Sequence, residues 1–320
     1  MKARIVMALF ALALAAAGCG SSTSPPLVTV APIEPQPAGA QEVTTAPDAG
    51  NADCDREASL RPGLQPAPGA MPPGSTMAAI AERGRLVVGV DQNTYPFGFR
   101  NPSSGQLEGF DVDLAREIAR SIFGDPDRIH LRVVDASQRE SALQSGQVDL
   151  VVRTYSITCG RKRNVDFSTV YYYANQRILA LKGSGIDSAA ALPGKRVCAV
   201  RGTTSLAALF ALNPRPNLFS VTTWTDCLVM LQQGQVDAIS TDDVVLSGLA
   251  AQDPNVEVVG SSLGVEPYGV GIRKESSDLV RFVNGALDEM RVDGTWERLY
   301  DARLRSLGPS PGPPAARYAD

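Results

Sequence analysis

One seven-residue string occurs twice in the chain. Leu143-Gln144-Ser145-Gly146-Gln147-Val148-Asp149 returns as Leu231-Gln232-Gln233-Gly234-Gln235-Val236-Asp237, differing only where Ser145 stands against Gln233. Each copy reads as the last turn of a helix, a glycine stop and the entry to a strand. A chain that builds this corner twice is expected to fold as two lobes of similar plan. Polar side chains, Thr154 and Asp242, stand equally far past the two aspartates. That spacing puts them at the carboxyl ends of two strands, where open α/β sheets bind ligands, and a crevice between lobes is a favoured site.

The flanking pattern agrees with an α/β fold. Leu86 to Val90 is a short apolar strand, and Gly109-Phe110-Asp111 opens a helix whose free amides Asp111 can cap. Phe110, Leu114, Ile118 and Ile122 recur at helical spacing until Gly124-Asp125-Pro126 stops the run. Ile129 to Val134 is the next strand. Strands alternating with helices predict a largely parallel sheet in each lobe. The net charge of -4 gives no footprint for nucleic acid, which calls for a basic face.

Residues 1–18 read as a signal peptide. Lys2 and Arg4 precede the apolar run Ile5 to Ala17, which falls short of the ~20 residues that span a bilayer. Ala16-Ala17-Gly18-Cys19 resembles a lipobox, making Cys19 the expected lipidated N-terminus and placing the protein on the outer face of the cytoplasmic membrane. Residues 19–75 are rich in Pro, Ala, Gly, Ser and Thr and are expected to be a disordered spacer, apart from the piece around Cys54; the Pro-rich tail 308–320 is expected to be disordered too. Export implies an oxidising compartment. Cys54, Cys159, Cys198 and Cys227 allow three pairings; Cys198 with Cys227, both in the second lobe, leaves Cys54 with Cys159. No metal or cofactor is expected: there is no C-x-x-C, and His130 is the only histidine.

Several stretches, in order over about 80–307, resemble the type II periplasmic binding proteins of family 3, which carry polar amino acids. They are Gly109-Phe110-Asp111-Val112-Asp113-Leu114, Ser156-Ile157-Thr158-Cys159-Gly160-Arg161 with Val165-Asp166-Phe167-Ser168, Gly202-Thr203-Thr204-Ser205, Val236 to Asp243, and Asp293-Gly294-Thr295-Trp296. The resemblance implies a two-lobed fold with hinge crossings near Ala174-Asn175 and Tyr268-Gly269. Lobe 1 would comprise 80–175 and 269–307, and lobe 2 would comprise 176–268. It also implies a monomer that hands a small amino acid to an ABC permease; the alternative is a lipoprotein that signals occupancy to a membrane sensor without transport.

An amino acid is a zwitterion, so its pocket needs donors for a carboxylate and an acceptor for an ammonium. By resemblance Arg161 takes the carboxylate, as a planar bidentate guanidinium can. Asp242 faces the ammonium. Thr154 and Ser156 add hydroxyl contacts, and Thr203 and Thr204 sit at a helix start that favours an anion. The positions where many relatives carry an aromatic clamp hold Thr94 and Ala136 here. Gln138-Arg139-Glu140-Ser141-Ala142-Leu143 is instead similar to a stretch of aspartate and glutamate binders. Arg139 is therefore expected to meet a second carboxylate or an amide oxygen, with Arg153 as a second candidate. Catalysis is not expected: His130 lies in a strand-like run, and no serine elbow or metal spacing accompanies it.

Overall fold

The computed structural model describes residues 35–47 and 54–320. The expected signal peptide at 1–18 and the expected lipidated Cys19 lie outside the described residues. Strand β1 (Gln41–Glu42) precedes helix α1 (Thr76–Arg83). That helix starts where the Ser75 hydroxyl accepts from Ala78 N and stops at left-handed Gly84. Then come β2 (Leu86–Val90), β3 (Asn93–Thr94), β4 (Gly98–Arg100), β5 (Leu107–Glu108) and α2 (Phe110–Phe123). The apolar stripe of α2, including Phe110, Leu114, Ile118 and Ile122, is buried as its spacing requires. Next are β6 (Ile129–Val133), α3 (Arg139–Gln144), β7 (Leu150–Val151), α4 (Cys159–Lys162) and β8 (Val165–Phe167). The second half runs β9 (Tyr172–Leu181), β10 (Arg196–Val200), α5 (Thr204–Phe210), β11 (Asn217–Val221), α6 (Trp224–Gln232), β12 (Ala238–Asp242), α7 (Asp243–Ala250) and β13 (Val256–Tyr268). Finally β14 (Gly271–Arg273), α8 (Ser277–Val292) and α9 (Thr295–Arg303) return to the first lobe.

Two sheets carry the lobes. In lobe one the strand order is β6-β2-β7-β14-β8, and in lobe two it is β1-β11-β10-β12-β9-β13. Apart from β1 the orders match place for place, with β7 and β12 both central. The repeated string forms the corner that leads into each. Gly146 and Gly234 take φ of 69° and 67° after α3 and α6, a backbone that glycine adopts without strain. Val148 and Val236 are buried beyond them. Asp149 then accepts the backbone N–H of Val87 at 2.8 Å, and Asp237 accepts that of Arg196 at 2.7 Å. Each aspartate so ties the central strand to its parallel neighbour, and each holds an arginine, Arg83 or Arg196.

Neither sheet is mostly parallel, contrary to the expectation from alternation. The pairs β2–β6, β2–β7, β10–β11 and β10–β12 are parallel, whereas β14 and β9 run antiparallel to their neighbours. The cause is the crossing between lobes: a strand arriving from the other lobe enters its sheet from the opposite end. β9 and β13 pair from Tyr172↔Tyr268 onwards, so the two strands that lead between the lobes run side by side.

The described parts of the spacer, 35–47 and 54–75, and the tail also differ from expectation. β1 adds an antiparallel strand to the edge of β11, and Val43 N donates to Leu218 O at 2.8 Å. Ser59 exchanges backbone bonds with the tail, accepting from Ala319 N and donating to Arg317 O, while Arg291 donates to Pro314 O. Composition shows that such segments cannot make a core of their own; it does not stop them from completing a sheet edge or lying along a finished lobe. The disulfides are Cys54–Cys159 and Cys198–Cys227, with Cα separations of 5.8 and 5.6 Å.

Candidate functional site

The chain past β7 lines one wall of the gap between lobes. Thr154 adopts φ 38°, a left-handed backbone that costs a β-branched residue energy and needs holding. Asp111 holds it: one carboxylate oxygen accepts Thr154 N at 2.8 Å and the other accepts the Tyr171 hydroxyl at 2.8 Å. Burial pushes the Asp111 carboxyl up to about 7, against the pull of those two bonds. Asp111 therefore does not cap α2. Gly109 takes the cap position at φ 128°, where a Cβ would lie 2.2 Å from Phe97 O. That tight turn aims Asp111 at the site loop instead.

Three guanidinium groups lie on this wall, and their surroundings differ. Arg153 pairs with buried Asp91 at 2.9 Å, and its Nε has no partner. Arg139 donates from Nε to Ala136 O and from Nη2 across the gap to Gly202 O, at 2.8 and 2.9 Å. Arg161 donates to Ser156 O at 2.6 Å and also reaches Gly202 O at 2.9 Å. Both stack on the Tyr155 ring, 4.2 and 4.9 Å from its centroid. Among the described residues neither Arg139 nor Arg161 forms an ion pair with an acid. Burial and the nearby Arg161 charge hold Arg139 well below the usual guanidinium range.

The opposite wall comes from the end of β12 and the start of α5. The Thr203 hydroxyl caps α5 by accepting from Leu206 N at 3.2 Å and donates to Val200 O. Thr204 donates to Glu266 at 2.9 Å. Asp242 ends β12, 5% exposed. One of its oxygens accepts the Tyr268 hydroxyl; the other, Oδ1, is buried without a partner. Burial, then the neighbouring Glu266 charge, pushes Asp242 up to about 8, while the Tyr268 bond opposes this.

Arg139, Arg153, Thr154, Ser156, Arg161, Thr203, Thr204 and Asp242 thus line one cavity. Thr94 does not. It sits on β3 with its hydroxyl bonded to Asp91 at 2.6 Å, bracing the carboxylate that holds Arg153. Ser205, Trp224, Thr241 and Val245 complete the lining. Ser205 and Thr241 adjoin residues already singled out. Trp224 opens a helix behind a Thr223–Asp226 capping box, a signal for a helix start but not for a cleft. Glu266 stands in the hinge strand, where an acid two residues before the crossing was the available clue.

The cavity itself is about 10 Å³, the space of roughly one water. It abuts a cavity of about 590 Å³ that shares Arg161, Thr203 and Thr204 and is walled by residues 41–47. An amino acid enters only if the walls part. Contacts across the gap are close: a Cβ on Gly202 would meet Ser137 Cα at 2.7 Å, and one on Gly248 would meet Tyr95 O at 1.8 Å.

Comparison with known proteins fits this arrangement. The chain is 38% identical over 226 residues to an ABC transporter glutamine-binding protein of Bacillus subtilis, covering 70% of this chain and 83% of that protein. It is 32% identical over 243 residues to a glutamate-binding protein of Corynebacterium glutamicum, covering 72% and 82%. The crystal structure of the solute receptor for L-cysteine of Neisseria gonorrhoeae superposes with a TM-score of 0.71 at 29% identity, covering 74% of this chain and 98% of that one. The pattern of the bacterial extracellular solute-binding proteins, family 3, matches residues 86–304. Those residues span both lobes and every wall of the cleft, and the chain belongs to that family of binding proteins rather than enzymes.

Proposed function

We propose that the cleft takes an acidic amino acid, glutamate or aspartate, and that closing on it presents the protein to an ABC permease. The observation that carries this reading is the charge left over on each wall. Among the described residues the buried Arg139 and the half-buried Arg161 form no ion pair with an acid, and Asp242 Oδ1 is a buried acceptor without a donor. Buried charge without compensation is costly. A dicarboxylic amino acid supplies two negative groups and one ammonium, which matches that remainder; a basic ligand would add to the excess on the arginine wall. Arg161 and the α-carboxylate, Asp242 and the ammonium, and Arg139 with Arg153 around the side-chain carboxylate form the set of contacts. Curated relatives named as glutamine-binding and glutamate-binding proteins support an amino acid as the ligand. Cys19, as the lipidated N-terminus, would hold the protein at the outer face of the membrane.

Ligand that touches both walls stabilises the closed form by its extra affinity for that form. Titration calorimetry with glutamate, aspartate, glutamine and asparagine tests the reading. The acids are expected to bind at least about tenfold tighter than their amides, the scale of one hydrogen bond to a charged group. Arg139→Met is expected to weaken the acids by about tenfold and to spare the amides. No heat with any of the four would remove the reading, and equal losses for acids and amides would remove Arg139 from the side-chain subsite.

A further inference from the structure

Glu266, on β13, is buried behind the cleft lining, next to Thr204. Its Oε2 lies 2.9 Å from Thr204 Oγ1, and Thr204 Oγ1 lies 3.4 Å from Ser156 Oγ on the facing lobe. The three groups form a short chain from the hinge strand through lobe two to lobe one. A hydroxyl has one proton to give, and a carboxylate has none. The Thr204 proton therefore goes to Glu266, which leaves Thr204 with lone pairs only for Ser156 and for the cleft. On the same side Asp242 has one oxygen occupied by Tyr268 and the other bare. Once Asp242 is ionised, its Oδ1 and the Thr204 hydroxyl both offer the cleft lone pairs rather than protons.

We propose that Glu266 is a positioning residue that fixes the direction of the Thr204 hydroxyl, so that Thr204 and ionised Asp242 together favour a ligand bearing an ammonium. The proposal rests on the reading of the cleft as an amino-acid site and deepens it. Glu266 acts through Thr204 and need not touch the ligand. A dicarboxylate of the same length without the ammonium brings no donor to Asp242 and Thr204, and it leaves their lone pairs unpaired.

The experiment compares matched ligands, L-glutamate against glutarate and L-aspartate against succinate, by calorimetry at about pH 9. There Asp242 has passed the range near 8 in which it gives up its proton, so a change in its charge does not enter. The unsubstituted chain is expected to prefer each amino acid over its partner. Glu266→Gln is expected to narrow that preference by about tenfold, because the amide can donate to Thr204 and free the hydroxyl proton for a carboxylate. Thr204→Val should narrow it similarly without disturbing the buried acid, and it carries the test if Glu266→Gln does not fold. In the Thr204→Val background, Glu266→Gln should change the preference no further. Equal losses for both members of a pair would reduce Glu266 to a structural role and overturn the proposal. A second narrowing in the double variant would mean that Glu266 acts by charge alone, and that also overturns it. If the unsubstituted chain binds no amino acid, the reading of the cleft fails first; if it binds and the preference does not move, only the Glu266 proposal fails.

Discussion

β7 and β12 hold the same place in their sheets, and each is entered through the same leucine-to-aspartate corner. Beyond them the lobes diverge. The chain after β7 carries Arg153 and Arg161, joined by Arg139 from α3, and the end of β12 carries Asp242, joined by Glu266 from β13. One scaffold, used twice, thus presents a cationic wall and an anionic wall. The repeat guarantees that strand ends meet across a gap. The residues past the repeat decide what the gap attracts.

The comparison breaks most sharply if the walls are kept from meeting. Gly248 lies inside α7 of lobe two, and a Cβ there would fall 1.8 Å from Tyr95 O of lobe one. Alanine is the better helix former by about 1 kcal/mol, so Gly248→Ala should leave the ligand-free chain as stable as before, or more so. Closure would have to move a backbone carbonyl. The expected result is an affinity lower by about 100-fold with an unchanged or raised melting temperature, the scale of a few kcal/mol of steric cost. Undiminished affinity would show that ligand is held without this contact between lobes.

How much of this was legible in the sequence follows from the same division. The doubled string marked the scaffold because a corner is local: its glycine, valine and aspartate all act within a few residues or on the adjacent strand. Thr154 and Asp242 could be placed on the cleft walls because they stand equally far past the two repeated aspartates, and Arg161 because of the motif around it. Glu266 was not, because its partner Thr204 comes from another element and nothing along the chain pairs them. Thr94 failed for a related reason. The resemblance put it at a clamp position, but here Asp91 claims its hydroxyl. The segment around β1 and the tail escaped notice because composition describes whether a stretch folds alone, not whether a ready-made edge or groove receives it.

The anionic wall should also be sensitive to pH in a way the cationic wall is not. Burial and Glu266 raise Asp242 to about 8. A carboxyl raised in the folded form adds stability at low pH, and that contribution is lost as pH rises through the folded value. The ligand-free closed form is thus favoured by a proton on Asp242, which an ammonium would replace. Affinity is expected to rise by about tenfold between about pH 6.5 and 8 and then to level off. Near neutral pH, binding should expel a proton, read as a dependence of the binding enthalpy on the ionisation enthalpy of the buffer. Asp111, raised to about 7 on the other lobe, would give a similar signal, so Asp242→Asn decides between them. A pH profile that survives this substitution assigns the proton to Asp111 and removes the asymmetry between walls.

The smallest effect on binding is expected where the lobes are most alike. Asp149 and Asp237 each hold a neighbouring backbone N–H and an arginine, outside the cavity lining. Asp149→Asn and Asp237→Asn keep the shape of the side chain and remove its charge. Each should lower stability by about 1–2 kcal/mol, the scale of a hydrogen bond to a charged group in a partly exposed setting. Chemical denaturation measures that loss, and calorimetry should find the affinity within about twofold of the unsubstituted chain. A similar loss in the two variants would mean that the repeated corner does the same work in both lobes. If either substitution shifted affinity by an order of magnitude, the corner would belong to the site as well as to the scaffold, and the separation between repeated frame and divergent chemistry would no longer hold.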